Sequence, residues 1–207
     1  PTQCGKTHFL VMAIRGQCFK PDRQRIVWVY GEMQAACEDL ARDVPYIEFV
    51  KGYTSELYEA FDPAVRNLLI LDDQMENKLA TKRGDNGAAK FFTQGSHQRN
   101  LTVVYIVQNL FDQDPAMRTI SINTHYMVLF KSPRDATQIR TLGQQMYPDN
   151  AQVLVEAYRD ATSRPYGYLL LDLRPDTCDA FRILTDVFDQ QPTAYAPLDA
   201  VRKAEWV

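Results

Sequence analysis

The chain opens with residue types suited to binding the phosphates of a nucleotide. Residues 1–7, PTQCGKT, supply every position but the first glycine of the phosphate-loop pattern G-x-x-x-x-G-K-[ST]. Gly5 lets backbone N–H groups approach the phosphates, Lys6 places a cation beside the outer phosphates, and Thr7 offers a hydroxyl to the bridging Mg²⁺. The pattern therefore predicts a site for a nucleoside triphosphate and Mg²⁺, with further contacts from Thr2, Gln3, Cys4 and His8.

Two adjacent carboxylates follow an apolar run later in the chain. Residues 68–71, LLIL, have the composition of a strand buried on both faces, and Asp72 and Asp73 come directly after them. We expect Asp72 to hold Mg²⁺, directly or through a water, and Asp73 to orient or deprotonate an attacking water. Because aspartate is also common where a strand ends in a polar turn, this interpretation depends on the phosphate loop upstream.

A polar side chain follows the clearest β pattern in the chain. Residues 101–107, LTVVYIV, are mostly β-branched or aromatic, and Gln108 comes next. If this strand lies beside the one that ends in the two carboxylates, Gln108 can contact the γ-phosphate or the attacking water. The alternative is a strand-terminal amide that bonds only to the backbone.

The segments that must position these residues alternate between helical and strand periods. Helices are predicted at 8–14, 32–42, 53–61, 88–98, 132–146 (with Ser132 as N-cap) and 150–160. Strands are predicted at 25–30, 47–50, 67–73, 101–107, 125–130, 166–171 and 180–185. This alternation predicts an α/β fold with a mainly parallel sheet, to which the last two strands add a C-terminal antiparallel edge pair.

The domain organisation follows from the same pattern. Residues 1–186 are predicted to form one nucleotide-binding domain, and the proline-dotted residues 187–207 a tail. Phosphate loops normally leave the end of a buried strand, and no strand precedes Pro1. We therefore expect the first strand of the sheet to lie upstream of residue 1.

Composition excludes some classes of protein and leaves others open. The chain has 207 residues, of which 45% are hydrophobic and 24% charged, as in a globular protein. No apolar run is long enough to span a membrane. The net charge of −3 gives no overall positive charge that would indicate nucleic-acid binding. A ring-shaped motor, however, needs only a few basic side chains in its pore. The four cysteines and three histidines lack zinc-ligand spacing, and scattered cysteines suit a reducing compartment.

Five stretches together resemble one family. The chain looks like the FtsK/HerA-type genome-packaging ATPases of eukaryotic double-stranded DNA viruses and of Polinton-like or adintovirus-like elements, and more distantly like the poxvirus packaging ATPase. The last three stretches are much more specific than the phosphate loop. The matching stretches are PTQCGKT at 1–7, LLILDDQM at 68–75, FTQGSHQRNLTVVYIVQNLF at 92–111, RTISINTHYMVLFKSPRD at 118–135 and RPYGYLLLDLRPDT at 164–177.

The resemblance implies a P-loop NTPase of the additional-strand, RecA/FtsK-like type. It implies ATP and Mg²⁺ as cofactors, with Gly5, Lys6 and Thr7 as nucleotide ligands and Asp72 as the magnesium carboxylate. It also implies Gln108 as the polar sensor and Asp73 as the catalytic acid position. Many relatives have glutamate at that position, and the shorter Asp73 holds its carboxylate further back.

The resemblance also implies partners and a location. Such ATPases form homo-oligomeric rings of five or six subunits that move double-stranded DNA into a capsid, at a vertex built of capsid proteins. They work without a membrane, in the nucleus or at the viral assembly site of an infected cell, or in association with the virion. The polar residues 74–87 predict either a loop that faces DNA or a neighbouring subunit, or a solvated connector.

A ring ATPase usually completes each site with an arginine from the neighbouring subunit, which stabilises charge on the transferred phosphoryl group. The candidates, in order of preference, are Arg99, Arg118 and Arg134. Two other functions stay open. One is a nucleotide-binding assembly component at a capsid vertex with little hydrolysis. The other is a small-molecule kinase, which the order of strands and the lack of an arginine-rich lid disfavour.

Overall fold

The computed structural model describes residues 4–72, 87–95, 98–108 and 115–197. It divides into two compact units, one formed by residues 7–123 and the other by residues 1–6 and 124–207. The first contains a four-stranded parallel sheet and the second a separate four-stranded antiparallel sheet. The predicted α/β class is confirmed, whereas the single, mainly parallel sheet is wrong because half of the strands pair antiparallel.

The first unit alternates strands and helices around the parallel sheet. Its strands are β1 (Arg25–Tyr30), β2 (Ile47–Lys51), β3 (Asn67–Asp72) and β4 (Leu101–Ile106), in the spatial order β2-β1-β3-β4. Its helices are α1 (Lys6–Arg15, whose first residue clusters with the other unit), α2 (Ala35–Asp43), α3 (Gly87–Lys90, continued by a π-helical segment at Phe91–Gly95) and α4 (Pro115–Ile122), with a 3₁₀ turn at Ser55–Tyr58. Every residue of β3 is buried, as its apolar run predicted.

Two hydrophobic clusters show which elements cover each face of this sheet. On one face, residues of α1 and α2 pack against alternate residues of β1 and β3, including Trp28, Leu68 and Ile70. On the other face, the 3₁₀ turn, α3 with its π segment, and α4 pack against the intervening residues, including Leu69 and Leu71. The parallel sheet is therefore covered on both faces, as α/β folds require.

Helix α1 runs antiparallel to the strands. Ile14, near its C-terminal end, lines a small cavity with Ile26 and Leu68, the second residues of β1 and β3. The next residue, Arg15, donates a 2.5 Å hydrogen bond to Asp43, which ends α2 before the chain enters β2. The C-terminus of α1 thus lies at the amino ends of the strands, and its N-terminus points toward their carboxyl ends.

A buried asparagine ties the amino ends of β3 and β4 together. The side-chain amide nitrogen of Asn67 lies 2.8, 2.8 and 3.0 Å from the carbonyl oxygens of Asp62, Val65 and Arg99, so its two N–H groups serve three acceptors. Asn67 is completely buried. Backbone carbonyls before β3 and before β4 therefore share one buried donor group.

The second unit contains the strands β5 (Tyr126–Phe130), β6 (Tyr168–Asp172), β7 (Ile183–Thr185) and β8 (Thr193–Tyr195) in sequential antiparallel order. Between β5 and β6 lie α5 (Ala136–Met146) and α6 (Gln152–Ala161), and a 3₁₀ turn at Asp179–Phe181 precedes β7. The predicted antiparallel pairing is confirmed as β6 and β7, whereas its predicted place at the edge of the parallel sheet is wrong, because both strands lie inside the separate antiparallel sheet. The described part of the segment 187–207, predicted as a tail, supplies β8, and the hydroxyl of Tyr195 donates to the Asp160 carboxylate at 2.6 Å.

Several helix boundaries differ from the prediction for local reasons. Helix α5 begins at Ala136 and not at Ser132, because the hydroxyl of Tyr158 accepts the Ser132 N–H (2.8 Å) and donates to the Phe130 carbonyl (3.0 Å). A turn closed by the Asp135 N–H and the Ser132 carbonyl (3.2 Å) then separates Ser132 from the helix. The helix predicted at 53–61 is one 3₁₀ turn, and α4 was missed although its buried residues have helical spacing.

Candidate functional site

The carboxyl ends of β3 and β4 bring two predicted site residues to one edge of the parallel sheet. The two strands are hydrogen-bonded neighbours, with Asp72 opposite Ile106. Gln108 follows two residues beyond Ile106, and its side chain is exposed. The adjacency required of a sensor strand is therefore confirmed, while the role of Gln108 stays a prediction.

Asp72 lies in an enclosed and partly polar environment. Its residue is only 4% exposed, and the indole Nε1 of Trp28 donates a 3.3 Å hydrogen bond to Oδ2. Trp28 is itself completely buried two positions before Tyr30, the residue opposite Asp72 in β1. A buried carboxylate needs such donors, because an unpaired charge inside a protein is costly.

Cys37 of α2 is the second buried group near this carboxylate. Burial raises the pKa of its thiol to about 11, and the negative charge of Asp72 adds to the effect. At neutral pH the group is therefore a neutral thiol, which excludes a role as nucleophile without a change of environment. Neither Trp28 nor Cys37 was predicted as a site residue, because their proximity to Asp72 depends on strand pairing and helix packing.

The side chain of Asp72 lies on the face of the parallel sheet that α1 covers. Leu68, Ile70 and Asp72 alternate along β3, and the first two pack in the cluster that contains α1. Since α1 runs antiparallel to the strands, Thr7, its second residue, lies toward the same carboxyl edge. The structure thus brings Thr7 and Asp72 to one edge and one face of the parallel sheet.

Gly5, the glycine of the predicted phosphate loop, has a backbone conformation that other residues rarely adopt. Gly5 has φ +105°, in the region that favours glycine. A Cβ at this position would lie 3.3 Å from Cδ1 of Tyr166 and 3.5 Å from Cε1 of Phe130. The torsion therefore favours glycine here, whereas the contacts are tight but not prohibitive.

The other predicted nucleotide ligands surround this glycine in sequence. Lys6 is the first residue of α1, Cys4 is half-buried and His8 is exposed. Thr2, Gln3 and the catalytic candidate Asp73 lie outside the described residues, as do residues 74–86 of the predicted polar loop and residues 198–207 of the predicted tail.

The three candidate arginines lie in different surroundings. Arg99 precedes β4 at its amino end, where it pairs with the Glu59 carboxylate, donates to the Phe61 carbonyl (3.3 Å) and lies 5.2 Å from the centre of the Tyr58 ring. It is thus engaged within its own chain, at the sheet edge opposite Asp72. Arg118 on α4 and Arg134 before α5 are exposed. Which of the three, if any, acts on a neighbouring subunit stays a prediction.

The donor set fits the coordination that Mg²⁺ prefers. In the part of the chain that the structure describes, no group of three or more His, Cys, Asp or Glu residues is arranged to hold a metal ion. Mg²⁺ is usually held by one or two protein groups, with waters and substrate phosphates completing its shell. The Thr7 hydroxyl and the Asp72 carboxylate match that pattern. Within the same described ranges, no helix is long and apolar enough to cross a membrane.

Comparisons with protein-family models, with curated proteins and with solved structures find no significant match to this chain. The functional inference therefore depends on the motif residues, on the resemblance of the five stretches and on the geometry at the carboxyl edge of the parallel sheet.

Proposed function

We propose that this chain is a Mg²⁺-dependent ATPase, and that it drives the movement of double-stranded DNA during the packaging of a viral genome. The observation that carries the ATPase proposal is the shared position of Thr7 and Asp72, at one edge and one face of the parallel sheet. Ligands of open α/β sheets bind at this carboxyl edge. The DNA-packaging role is proposed from the resemblance alone.

Each group has a defined chemical task in this proposal. Bound Mg²⁺ neutralises charge on the outer phosphates, and Thr7 and Asp72 supply its protein ligands. Lys6, the residue before Thr7, contributes a cation, and the N-terminal end of α1 offers backbone N–H groups to the phosphates. Gln108, beyond the end of the neighbouring strand, orients the attacking water or contacts the γ-phosphate.

The test measures phosphate release from ATP with and without duplex DNA. We expect hydrolysis by the wild type to require Mg²⁺ and to be stimulated by DNA, and Lys6→Ala and Asp72→Asn to lose at least about 100-fold in rate. The exposed residues Lys20 and Asp39 provide matched controls, and Lys20→Ala and Asp39→Asn should keep wild-type activity.

The outcomes separate the competing functions. If the wild type binds ATP but hydrolyses it no faster than Lys6→Ala, with no stimulation by DNA, the assembly-component interpretation replaces the motor. Transfer of phosphate to a nucleoside would identify a kinase. A particle mass that stays monomeric at high concentration, with nucleotide and DNA present, would contradict the ring.

A further inference from the structure

Two arginines at the amino ends of the parallel strands lack the carboxylate partners that neighbouring arginines have. In the part of the chain that the structure describes, neither Arg23, shortly before β1, nor Arg66, directly before β3, forms an ion pair with a carboxylate. Three other arginines at this edge of the sheet are each paired with an acidic residue: Arg15 with Asp43, Arg25 with Glu48, and Arg99 with Glu59. The charges of Arg23 and Arg66 are therefore the ones at this edge that an external anion would compensate.

Hydrogen bonds hold these two arginines side by side. Nε of Arg66 donates a 2.8 Å bond to the carbonyl oxygen of Asp22, in the peptide group that joins Asp22 to Arg23. On the other side of Arg23, the Gln24 N–H donates to the Arg66 carbonyl (2.9 Å), and the Arg66 N–H donates to the Gln24 side chain (3.1 Å). The backbone around Arg23 is thus tied to Arg66 before any ligand arrives, which lowers the entropic cost of binding one.

The guanidinium of Arg23 is partly withdrawn from water, and one of its donors is unused. Its Nε is buried and has no hydrogen-bond partner among the described residues. One terminal nitrogen makes a long 3.4 Å bond to the Lys20 carbonyl. Burial lowers the pKa of Arg23, and the positive charge of Arg66 lowers it further. An anion beside both groups would offset this cost, because charge-assisted hydrogen bonds are the strong ones in partly buried surroundings.

The local charges favour a ligand with two negative charges. The Asp22 carboxylate precedes Arg23, but the ammonium group of Lys20 lies 2.7 Å from it and offsets its charge. The two guanidinium groups are then left with two positive charges in excess. Arg23 also lines the small cavity between α1 and the amino ends of β1 and β3, whose volume of about 30 Å³ accommodates an atom the size of a water oxygen.

We propose that Arg23 and Arg66 form a binding site for a phosphate dianion, either inorganic phosphate or the terminal phosphate of a phosphorylated small molecule. Planar guanidinium groups bind phosphate oxygens through paired N–H donors, and two such groups match two negative charges. A phosphodiester group of DNA carries a single charge and matches the pair less well. The site lies at the edge of the parallel sheet opposite Asp72, so it does not depend on the proposed function.

The test measures the binding of inorganic phosphate by titration calorimetry at constant ionic strength, with chloride as the reference anion. Because the phosphate loop is itself a predicted phosphate site, every protein in the series carries Lys6→Ala. We expect Arg23→Gln and Arg66→Gln each to weaken phosphate binding by about 10- to 150-fold, the range for a hydrogen bond to a charged group. Arg42→Gln, which removes an exposed arginine paired with Asp39, is the matched control and should leave the affinity unchanged.

A second ligand distinguishes the two sources of the dianion. Glycerol phosphate presents the same dianion as a monoester. Tighter binding of glycerol phosphate than of inorganic phosphate supports a phosphorylated small molecule as the ligand, and weaker binding supports the free ion. Thermal unfolding gives an independent measurement, because a ligand that binds only the folded state raises the melting temperature. Phosphate should raise it in Lys6→Ala and not when Arg23→Gln is added.

Other outcomes overturn the proposal. Absence of phosphate binding to the Lys6→Ala protein contradicts the site, and so does an equal affinity in Arg23→Gln and Arg42→Gln. A loss of duplex-DNA affinity in Arg23→Gln and Arg66→Gln, with phosphate affinity unchanged, would assign the pair to the DNA backbone and refute a dianion site. Cooperative unfolding without phosphate verifies that the variants are folded. Since ATP hydrolysis is not part of these measurements, failure here leaves the proposed ATPase untouched.

Discussion

Replacing Trp28 with phenylalanine isolates the hydrogen bond that orients Asp72. The change removes the indole N–H that donates to Oδ2 at 3.3 Å, and it keeps an aromatic ring in the completely buried position. Without that donor, the carboxylate loses an interaction that fixes its rotamer, and so its orientation toward the proposed Mg²⁺ site. Groups that orient metal ligands in this way typically change metal affinity by about 10- to 100-fold when removed.

The expected loss in the free energy of unfolding of Trp28→Phe has two parts. A hydrogen bond to a charged group contributes about 1.5–3 kcal/mol, and the smaller ring leaves a gap that costs about 1 kcal/mol more. We therefore expect Trp28→Phe to lower the free energy of unfolding by about 2–4 kcal/mol. We also expect the Mg²⁺ concentration needed for half-maximal ATP hydrolysis to rise about 10-fold.

The matched control is Phe49→Leu. Phe49 stacks on Trp28 with the ring centres 5.9 Å apart, and it makes no hydrogen bond to Asp72 through its hydrocarbon ring. Its truncation removes packing from the same cluster without touching the carboxylate. Urea unfolding followed by circular dichroism, and Mg²⁺ titrations of ATP hydrolysis, are measured for both variants. If both lose stability and neither changes its Mg²⁺ requirement, Trp28 supports packing only and the positioning role is refuted.

Three further changes test the packing of each unit by urea unfolding. Asn67→Asp replaces a buried amide, whose two N–H groups serve three carbonyl oxygens, with a carboxylate that has no hydrogen to donate, so we expect a loss of about 3 kcal/mol or more, whereas the exposed Asn123→Asp should be nearly neutral. Gly143→Ala would place a Cβ 2.6 Å from a backbone carbonyl oxygen, so we expect a loss of about 1–3 kcal/mol, and wild-type stability would contradict that contact. Burial raises the pKa of Asp172, but hydrogen bonds from Arg174 have the larger combined effect, and the pKa is lowered overall. The ion pair therefore stabilises the fold at pH values above the ordinary carboxyl pKa, and this stabilisation is lost as the pH falls. The stability difference between wild type and Arg174→Met should therefore shrink as pH falls below about 4, and a difference independent of pH would be inconsistent with this coupling.

The sequence by itself determined the elements whose local pattern is strong. The apolar run before Asp72 and the β-rich run before Gln108 each predicted a strand, and the structure makes them neighbours in a parallel sheet. Gly5 was singled out as a residue where the backbone needs glycine, and its φ is positive, while its role as a phosphate ligand stays a prediction. These features depend on residues close together in the chain, so periodicity and residue type are sufficient to find them.

Pairing partners and side-chain neighbours were decided only by the tertiary structure. The strand Tyr126–Phe130 has the composition of a parallel strand but pairs antiparallel with Tyr168–Asp172, and nothing local distinguishes the two outcomes. Trp28 reaches Asp72 across 44 positions, and Tyr166 contacts Gly5 across 161 positions. Contacts at such separations arise from the packing of whole elements, whose free energy is spread over many residues and leaves no signature in any one segment.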